Sequence, residues 1–395
     1  MRRLQDTITA ILSLCLGILI SLVLLEAIFR VNPSLLLRGM NAPSPVDPPL
    51  ETTKYDVYTS DADLFYWQSS IMQPVSIQND QIEAKVIFQT DEIGFPNPAP
   101  IPEAVDIIVL GRSFSMGAQA SDPWSRQLNE KGGYTVLNLS QTGSGIPTKI
   151  SYLQKFGLIH HPHWIIIEIL PSMDIIGYQP ESKTIIQNIP FAIIHELLHA
   201  NDPDKPSIKA NSYIYPISLD ISSRKVELTL YSYYLSALTV NQSDLESSIQ
   251  WQDFRQNLLN MAEISRSNSS CLVLLYAPTK PDIYIPLIED IHRLEPIRRE
   301  IRPWKLNSSN SLERGNQWSS DFSELQINAY AARNLISKFA SENHIIFVDP
   351  SISMTQAVVE GKSPFMRYDT HWSATGHQLV ANMVLETLKT ASCSP

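Results

Sequence analysis

Cysteine is scarce in this chain: three residues in 395, at positions 15, 271 and 393. That number excludes a disulfide framework as the organising principle of the fold. Cys15 lies in an apolar N-terminal run, Cys271 opens an apolar strand and Cys393 is almost terminal. A Cys271 to Cys393 bridge is compatible with an oxidising compartment, but nothing in the sequence requires it. Basic residues are also short, with 30 Lys and Arg against 40 Asp and Glu, a formal net charge of −10 and no long basic run. Contact with a phosphate backbone needs a basic face, so nucleic acid is excluded as a partner. No cofactor motif is present either. What remains is an ordinary globular composition, 44% hydrophobic and 18% charged, in a chain long enough to bury a large core.

After MRRLQDT comes ITAILSLCLGILISLVLL, roughly 18 residues without a charge, close to the length that crosses a bilayer core. The following LLEAIFRVNP contains no A-x-A cleavage site, so an uncleaved membrane helix over about Thr7 to Phe29 is expected rather than a signal peptide. Arg2 and Arg3 place the N-terminus inside and the bulk of the chain outside the cytoplasmic membrane, with Arg30 and Arg38 voting the other way. The expected plan is an anchor over 1–30, a proline-rich linker and N-terminal extension with short strands over 31–100, and one α/β domain over 101–395 with an insertion at about 178–242.

Five short apolar runs, DIIVLG, YTVLNLS, HWIIIEIL, CLVLLYAP and HIIFVDP, each stop at Gly, Ser, Pro or Asp, as buried parallel strands do. Helical patterns separate them: one from Ser243 to about Ser265, opened by Ser243 and Glu246 in capping-box spacing, and one from Leu325 to about Glu342. A final helix follows Ser373, which is placed to cap it. The alternation predicts a three-layer α/β/α sandwich around a five-stranded parallel sheet, with ligands at the C-terminal strand ends.

Chemistry concentrates in VLGRSFSMG, where a strand ends on Gly-x-Ser, and in RYDTHWSATGH near the C-terminus. A serine that attacks a carbonyl needs a base, a carboxylate that orients the base, and donors for the oxyanion. Ser113, His371 and Asp369 supply the first three residue types. The motif is not the α/β-hydrolase elbow, because Ser115 occupies the last position of G-x-S-x-G.

These residues, with the LLEAIFR anchor, TDEIGF, VLNLSQTGSG, IIIEILPSMDI and YAPTKPDIYIPL, resemble the SGNH or GDSL-like hydrolase superfamily, and more closely its membrane-anchored branch similar to exopolysaccharide O-acetyltransferases of alginate type. The resemblance implies a flavodoxin-like strand order, with Ser113 as nucleophile, His371 as base and Asp369 as its orienter. The amides of Ser113 and Gly143 would be oxyanion donors. It also implies a carbohydrate or cell-envelope glycan ester as substrate, hydrolysed or transferred, and a membrane acyl-donor protein as a further partner.

Two departures stand out. Arg112 occupies the place of the family's Asp between Gly and Ser, and Pro171, Ser172, Met173 and Asp174 replace Gly-x-Asn-Asp. The side-chain amide that donates to the oxyanion is thereby lost, and a thioether cannot replace it. Arg112 is expected either to pair with Asp174 across the site or to aim its guanidinium where the Asn amide would have been. A catalytically retired glycan-binding or assembly module is the alternative. Lys280, just beyond the fourth strand, is a candidate for holding an anionic or polar substrate, or else a solvated loop lysine. Trp304 and Trp318, in the polar stretch Arg302 to Asp321, suggest a mobile lid with aromatic platforms or an irregular excursion.

One rival signal is HELLH, where His195 and His199 with Glu196 as base match a zinc-peptidase helix, Glu227 being a distant third ligand. Pro203 and Pro206 end that helix early, and a solvated amphipathic helix is the simpler reading. His160, His161 and His163 are too tightly spaced around Pro162 for one tetrahedral metal.

Overall fold

The computed structural model describes residues 91–177 and 213–393, apart from 92, 119, 317 and 368, together with 13, 17 and 21. In chain order the strands are β1 (Ile107–Leu110), β2 (Val136–Asn138), β3 (Trp164–Ile169), β4 (Tyr213–Ile221), β5 (Arg224–Tyr231), β6 (Cys271–Tyr276), β7 (Trp304–Leu306), β8 (Leu312–Arg314) and β9 (Ile346–Val348). The five apolar runs form one sheet in the order β2-β1-β3-β6-β9, every pair parallel. Ile107 stands opposite both Val136 and Trp164, and Trp164 opposite Cys271, so these four strands start level, while β9 begins opposite Val273.

Continuous apolar runs are what a strand buried on both faces needs, because successive side chains point to opposite sides. Ile107, Val109, Ile166, Val273 and Leu275 pack on one face against Trp124, Leu128, Val380 and Val384. Ile108, Leu110, Ile165, Ile167 and Leu274 pack on the other against Phe254, Leu258, Leu335 and Phe339. The chain runs outward from β1 to β2 and then back across β1 to β3, so the order reverses between β1 and β3. A crevice opens beyond the strand ends at such a reversal.

Helix boundaries depart from the periodicity. The helix expected from Ser243 is two helices, Gln242–Ser247 and Ile249–Ser267, because Asn241 and Ser248 each accept an amide at the head of one of them. Ser243 instead donates its hydroxyl to Asn241 Oδ1 at 2.7 Å. The helix expected from Leu325 divides into Ser323–Asn328 and Ala331–Glu342. Ser373 caps Ala374–Thr390, its Oγ accepting the Gly376 amide.

The stretch Arg302 to Asp321 is no open lid: it holds the β7–β8 hairpin, and Trp304 and Trp318 are buried in the two cores rather than offered as platforms. Cys271 and Cys393 are bridged, with Cα atoms 5.8 Å apart, joining the start of β6 to the tail beyond the last helix.

The expected anchor over Thr7 to Phe29 lies outside the described residues except for 13, 17 and 21. Among the described residues no helix is long and apolar enough to cross a membrane. The expectation of a single-pass membrane protein is corrected on that finding. The short strands expected before residue 90 and the HELLH segment also lie outside the described residues.

Candidate active site

Beyond β1 the backbone is extended through Arg112 (φ −100°, ψ −153°), then makes a single helical turn over Ser113–Met116 that stops at Gly117 in the left-handed region. This turn lifts Ser113, half-buried, to the strand end. His371 Nε2 lies 2.8 Å from Ser113 Oγ, and His371 Nδ1 lies 2.6 Å from Asp369 Oδ1. Asp369 Oδ1 also accepts the backbone amide of His371 at 2.8 Å, so one oxygen fixes both the loop and the ring. The Phe114 ring packs 4.9 Å from the imidazole and 5.0 Å from Trp372.

Asp369 and His371 are both buried. Burial pushes the Asp369 carboxyl up, but the His371 charge, the two hydrogen bonds from His371 and the Lys280 ammonium outweigh it and hold it below the ordinary carboxylate range. An ionised Asp369 suits an imidazole that must accept a proton.

Lys280 is 1% exposed and therefore not a solvated loop lysine. Its ammonium donates to the carbonyls of Asp369 at 2.5 Å, Thr229 at 2.9 Å and Arg367 at 3.3 Å. The Asp369 loop is thus tied to β5 by a buried cation. On the far side of the loop, Met366 donates its amide to the His371 carbonyl at 3.0 Å.

The QTGSG turn docks on the same strand end. Gln141 N and Ser144 Oγ both donate to the Gly111 carbonyl, at 3.1 and 2.7 Å. Gly143 is exposed with φ +82°, and a Cβ there would meet nothing, so glycine serves backbone conformation rather than packing.

Behind Ser113 lies a group of buried charges. Arg112 Nε donates to Asp174 Oδ1 at 2.8 Å, and Lys149 Nζ to Asp174 Oδ2 at 3.1 Å and to the Glu168 carbonyl at 2.7 Å. Leu170 N completes the Asp174 shell at 2.8 Å. Burial raises the Asp174 carboxyl, but Arg112 and Lys149 outweigh it and its pKa falls below the usual range. Burial lowers the Lys149 ammonium despite the pull of Asp174. One Arg112 Nη stands 3.5 Å from the Met173 carbonyl and 3.9 Å from where a Cβ on Gly145 would sit. The guanidinium therefore spans the gap between Met173 and the QTGSG turn.

Two groups escaped the sequence reading. Glu168, fully buried on β3, accepts the amides of Arg112 at 3.3 Å and Ser115 at 2.7 Å; its signal was the single acid in WIIIEIL. Asn138, ending β2, donates to the Ser115 carbonyl at 2.8 Å and Ser125 Oγ at 3.1 Å. Asn138 N in turn donates to Asn97 Oδ1, and Asn97 Nδ2 to Asp91 Oδ2, each at 2.7 Å. Asp91 and Asn97 thus belong to the support of the turn that carries Ser113.

His195, Glu196 and His199 lie outside the described residues. Glu227, their distant third ligand, pairs with Arg367. Among the described residues no three His, Cys, Asp or Glu side chains group as metal ligands.

No family model and no curated protein sequence matches the chain. Solved structures similar to it are SGNH and GDSL-like hydrolases. One is a GDSL-like lipase from Bacteroides thetaiotaomicron, at 10% identity over 72% of this chain and 88% of that one, with a TM-score of 0.36. Another is a member of the lipolytic G-D-S-L family from Veillonella parvula, at 12% identity over 72% and 98%, TM-score 0.36. A third is an acetyl xylan esterase, at 9% identity over 71% and 99%, TM-score 0.35.

Proposed function

We propose that the protein is a serine acyl-ester enzyme with Ser113 as nucleophile, His371 as general base and Asp369 as the group that orients the imidazole. The observation that carries this reading is the pair of contacts about His371, 2.8 Å to Ser113 Oγ and 2.6 Å to Asp369 Oδ1. Ser113 Oγ attacks the ester carbonyl carbon while His371 Nε2 takes the hydroxyl proton. The tetrahedral oxyanion is met by the amides of Ser113 and Gly143. Collapse breaks the bond to the alcohol, which leaves with the proton from His371, and the acyl group stays on Ser113. Water then releases a carboxylic acid, or a sugar hydroxyl takes the acyl group. Both outcomes share the covalent step.

Arg112 supplies the third donor. Its Nε is held by buried Asp174, and one outer nitrogen sits beside the Met173 carbonyl and Gly145, on the side of the turn from which the lost Asn would have donated. The substrate class is a carbohydrate or glycan ester, supported by the resemblance of VLGRSFSMG, QTGSG and YDTHWSATGH to the glycan-modifying branch of the superfamily. Met173 favours one second reading, a glycan-binding module without turnover, because a thioether donates nothing.

Fluorophosphonate trapping followed by intact mass separates the two. Such probes react only with a serine activated by its surroundings. A single adduct on the full chain, absent from Ser113→Ala, is expected. An unmodified wild-type protein would leave the binding module standing and remove the enzyme.

A further inference from the structure

The helical turn that carries Ser113 has an unusual head. An N-cap residue normally accepts an amide of the first turn through a side-chain oxygen. Arg112 holds that position, and its side chain has donors only, so it makes no cap hydrogen bond. The missing oxygen arrives from another strand. Glu168 Oε2 accepts the Ser115 amide at 2.7 Å, and Oε1 the Arg112 amide at 3.3 Å.

We infer that Glu168 is a positioning residue of the active site: from β3 it caps the Ser113 turn in place of Arg112, and so sets the nucleophile against His371. This role rests on the proposed acyl-ester chemistry. Three observations carry it. First, the hydrogen bonds of the carboxylate go to the nucleophile turn, whereas Lys149 binds the strand carbonyl of Glu168 and the side chain of Asp174. Glu168 is thus not merely the counter-ion of a buried lysine. Second, the turn is fitted to the carboxylate. A Cβ on Gly111 would stand 2.7 Å from Glu168 Oε2 and 2.5 Å from Ser115 Cβ, so the residue before Arg112 has to be glycine for the acid to approach. Third, Glu168 takes the amides on either side of the nucleophile and leaves that of Ser113, the one an oxyanion needs.

A carboxylate fully buried on β3 is costly unless hydrogen bonds compensate it. Burial raises the Glu168 carboxyl above its usual range, and the Lys149 ammonium and the turn's own amides pull the other way. Stability and nucleophile geometry are therefore coupled through one side chain. Arg112 and Glu168 form an exchange: the acid that the resemblance expects before the serine is gone, and an acid on the neighbouring strand supplies the oxygen.

The test is Glu168→Gln in the full chain, read by the second-order rate of fluorophosphonate labelling, by kcat and KM on an activated acetyl ester, and by hydrogen exchange of the 112–116 amides. Gln keeps the shape but presents an amide nitrogen to a backbone donor. A loss in labelling rate and kcat of about 10²-fold with KM within about twofold is expected, since small misplacement of a reacting group costs on this scale. Faster exchange over 112–116, with the exchange of 336–339 unchanged, should accompany it. Gly111→Ala pushes the same contact from the other side and should give the same pattern, which keeps the test open if the Gln variant does not fold. Wild-type labelling together with unchanged exchange over 112–116 overturns the inference, as does a change confined to KM. A wild-type chain that takes no label defeats the proposed chemistry instead, and exchange over 112–116 then decides the positioning role by itself.

Discussion

Asp174→Asn tests whether the buried charges behind Ser113 act as a set. In the native site Asp174 accepts from Arg112 Nε at 2.8 Å, Leu170 N at 2.8 Å and Lys149 Nζ at 3.1 Å, and its side chain has no solvent exposure. The amide can replace some of these acceptor bonds but none of the negative charge. Two cations would then sit beside one another, Lys149 with 1% of its side chain exposed. Breaking a buried pair by removing one partner costs about 3–5 kcal/mol, because the remaining charge is left uncompensated. Asp174→Asn should lower the unfolding free energy by that amount in urea titrations. Lys149→Met should cost a similar amount by leaving Asp174 with Arg112 alone. Because both variants disturb one network, the double variant should be more stable than the sum predicts by about 1–3 kcal/mol. A loss below about 1 kcal/mol for Asp174→Asn, or strict additivity of the pair, would refute the view that these groups are mutually compensating.

Arg112→Ala leaves Asp174 with Lys149 as its one cation, so it should cost stability as Lys149→Met does, while fluorophosphonate labelling of the folded protein slows by about 10²-fold, the usual loss for one oxyanion donor; an unchanged rate removes Arg112 from the reaction. His377 accepts the Trp124 amide through Nδ1 at 3.3 Å, and burial, with the nearby His371 charge, pushes its pKa down to about 3. Between pH 6.5 and 3 the unfolded chain binds a proton that the folded chain refuses, so stability falls on acidification through this window. Wild type should lose about 3 kcal/mol more than His377→Asn between pH 7 and pH 4.5 in paired urea titrations, and equal losses would show that His377 is not held neutral.

The sheet was legible because parallel strands covered on both faces are nearly continuous apolar runs, as in IIVL and WIIIEIL, bounded by turn residues. The helix from Ser243 misread because Asn241 and Ser248, polar residues that interrupt nothing in the hydrophobic period, restart the backbone through their side-chain oxygens. Within the site, the local spacing of Asp369 and His371 was visible, as was the Gly-x-Ser turn, and the structure brings all three side chains into hydrogen-bond reach. Partners far apart in sequence were not visible. Lys280 read as a substrate-holding or solvated loop residue because its three carbonyl acceptors lie 51, 87 and 89 positions away. Glu168 went unremarked in an apolar run because the amides it accepts are 53 and 56 positions distant. Cys271 and Cys393, separated by 122 positions, gave no local sign of their bridge. A buried polar group is explained only by what surrounds it, and the surroundings are supplied by topology.

The hydrogen-bonded chain from Asp91 through Asn97 and Asn138 to the Ser115 carbonyl sets where a working fragment of this protein can begin. A fragment started at residue 101 would keep all five sheet strands and the side chains of Ser113, Asp369 and His371. It would nevertheless strip Asn138 N of its acceptor and the β2 end of its cover, beneath the turn that bears Ser113. Cutting ahead of Asp91 preserves the support. The folded unit around Ser113 therefore reaches back past the proline-rich stretch that looks, in one dimension, like its border.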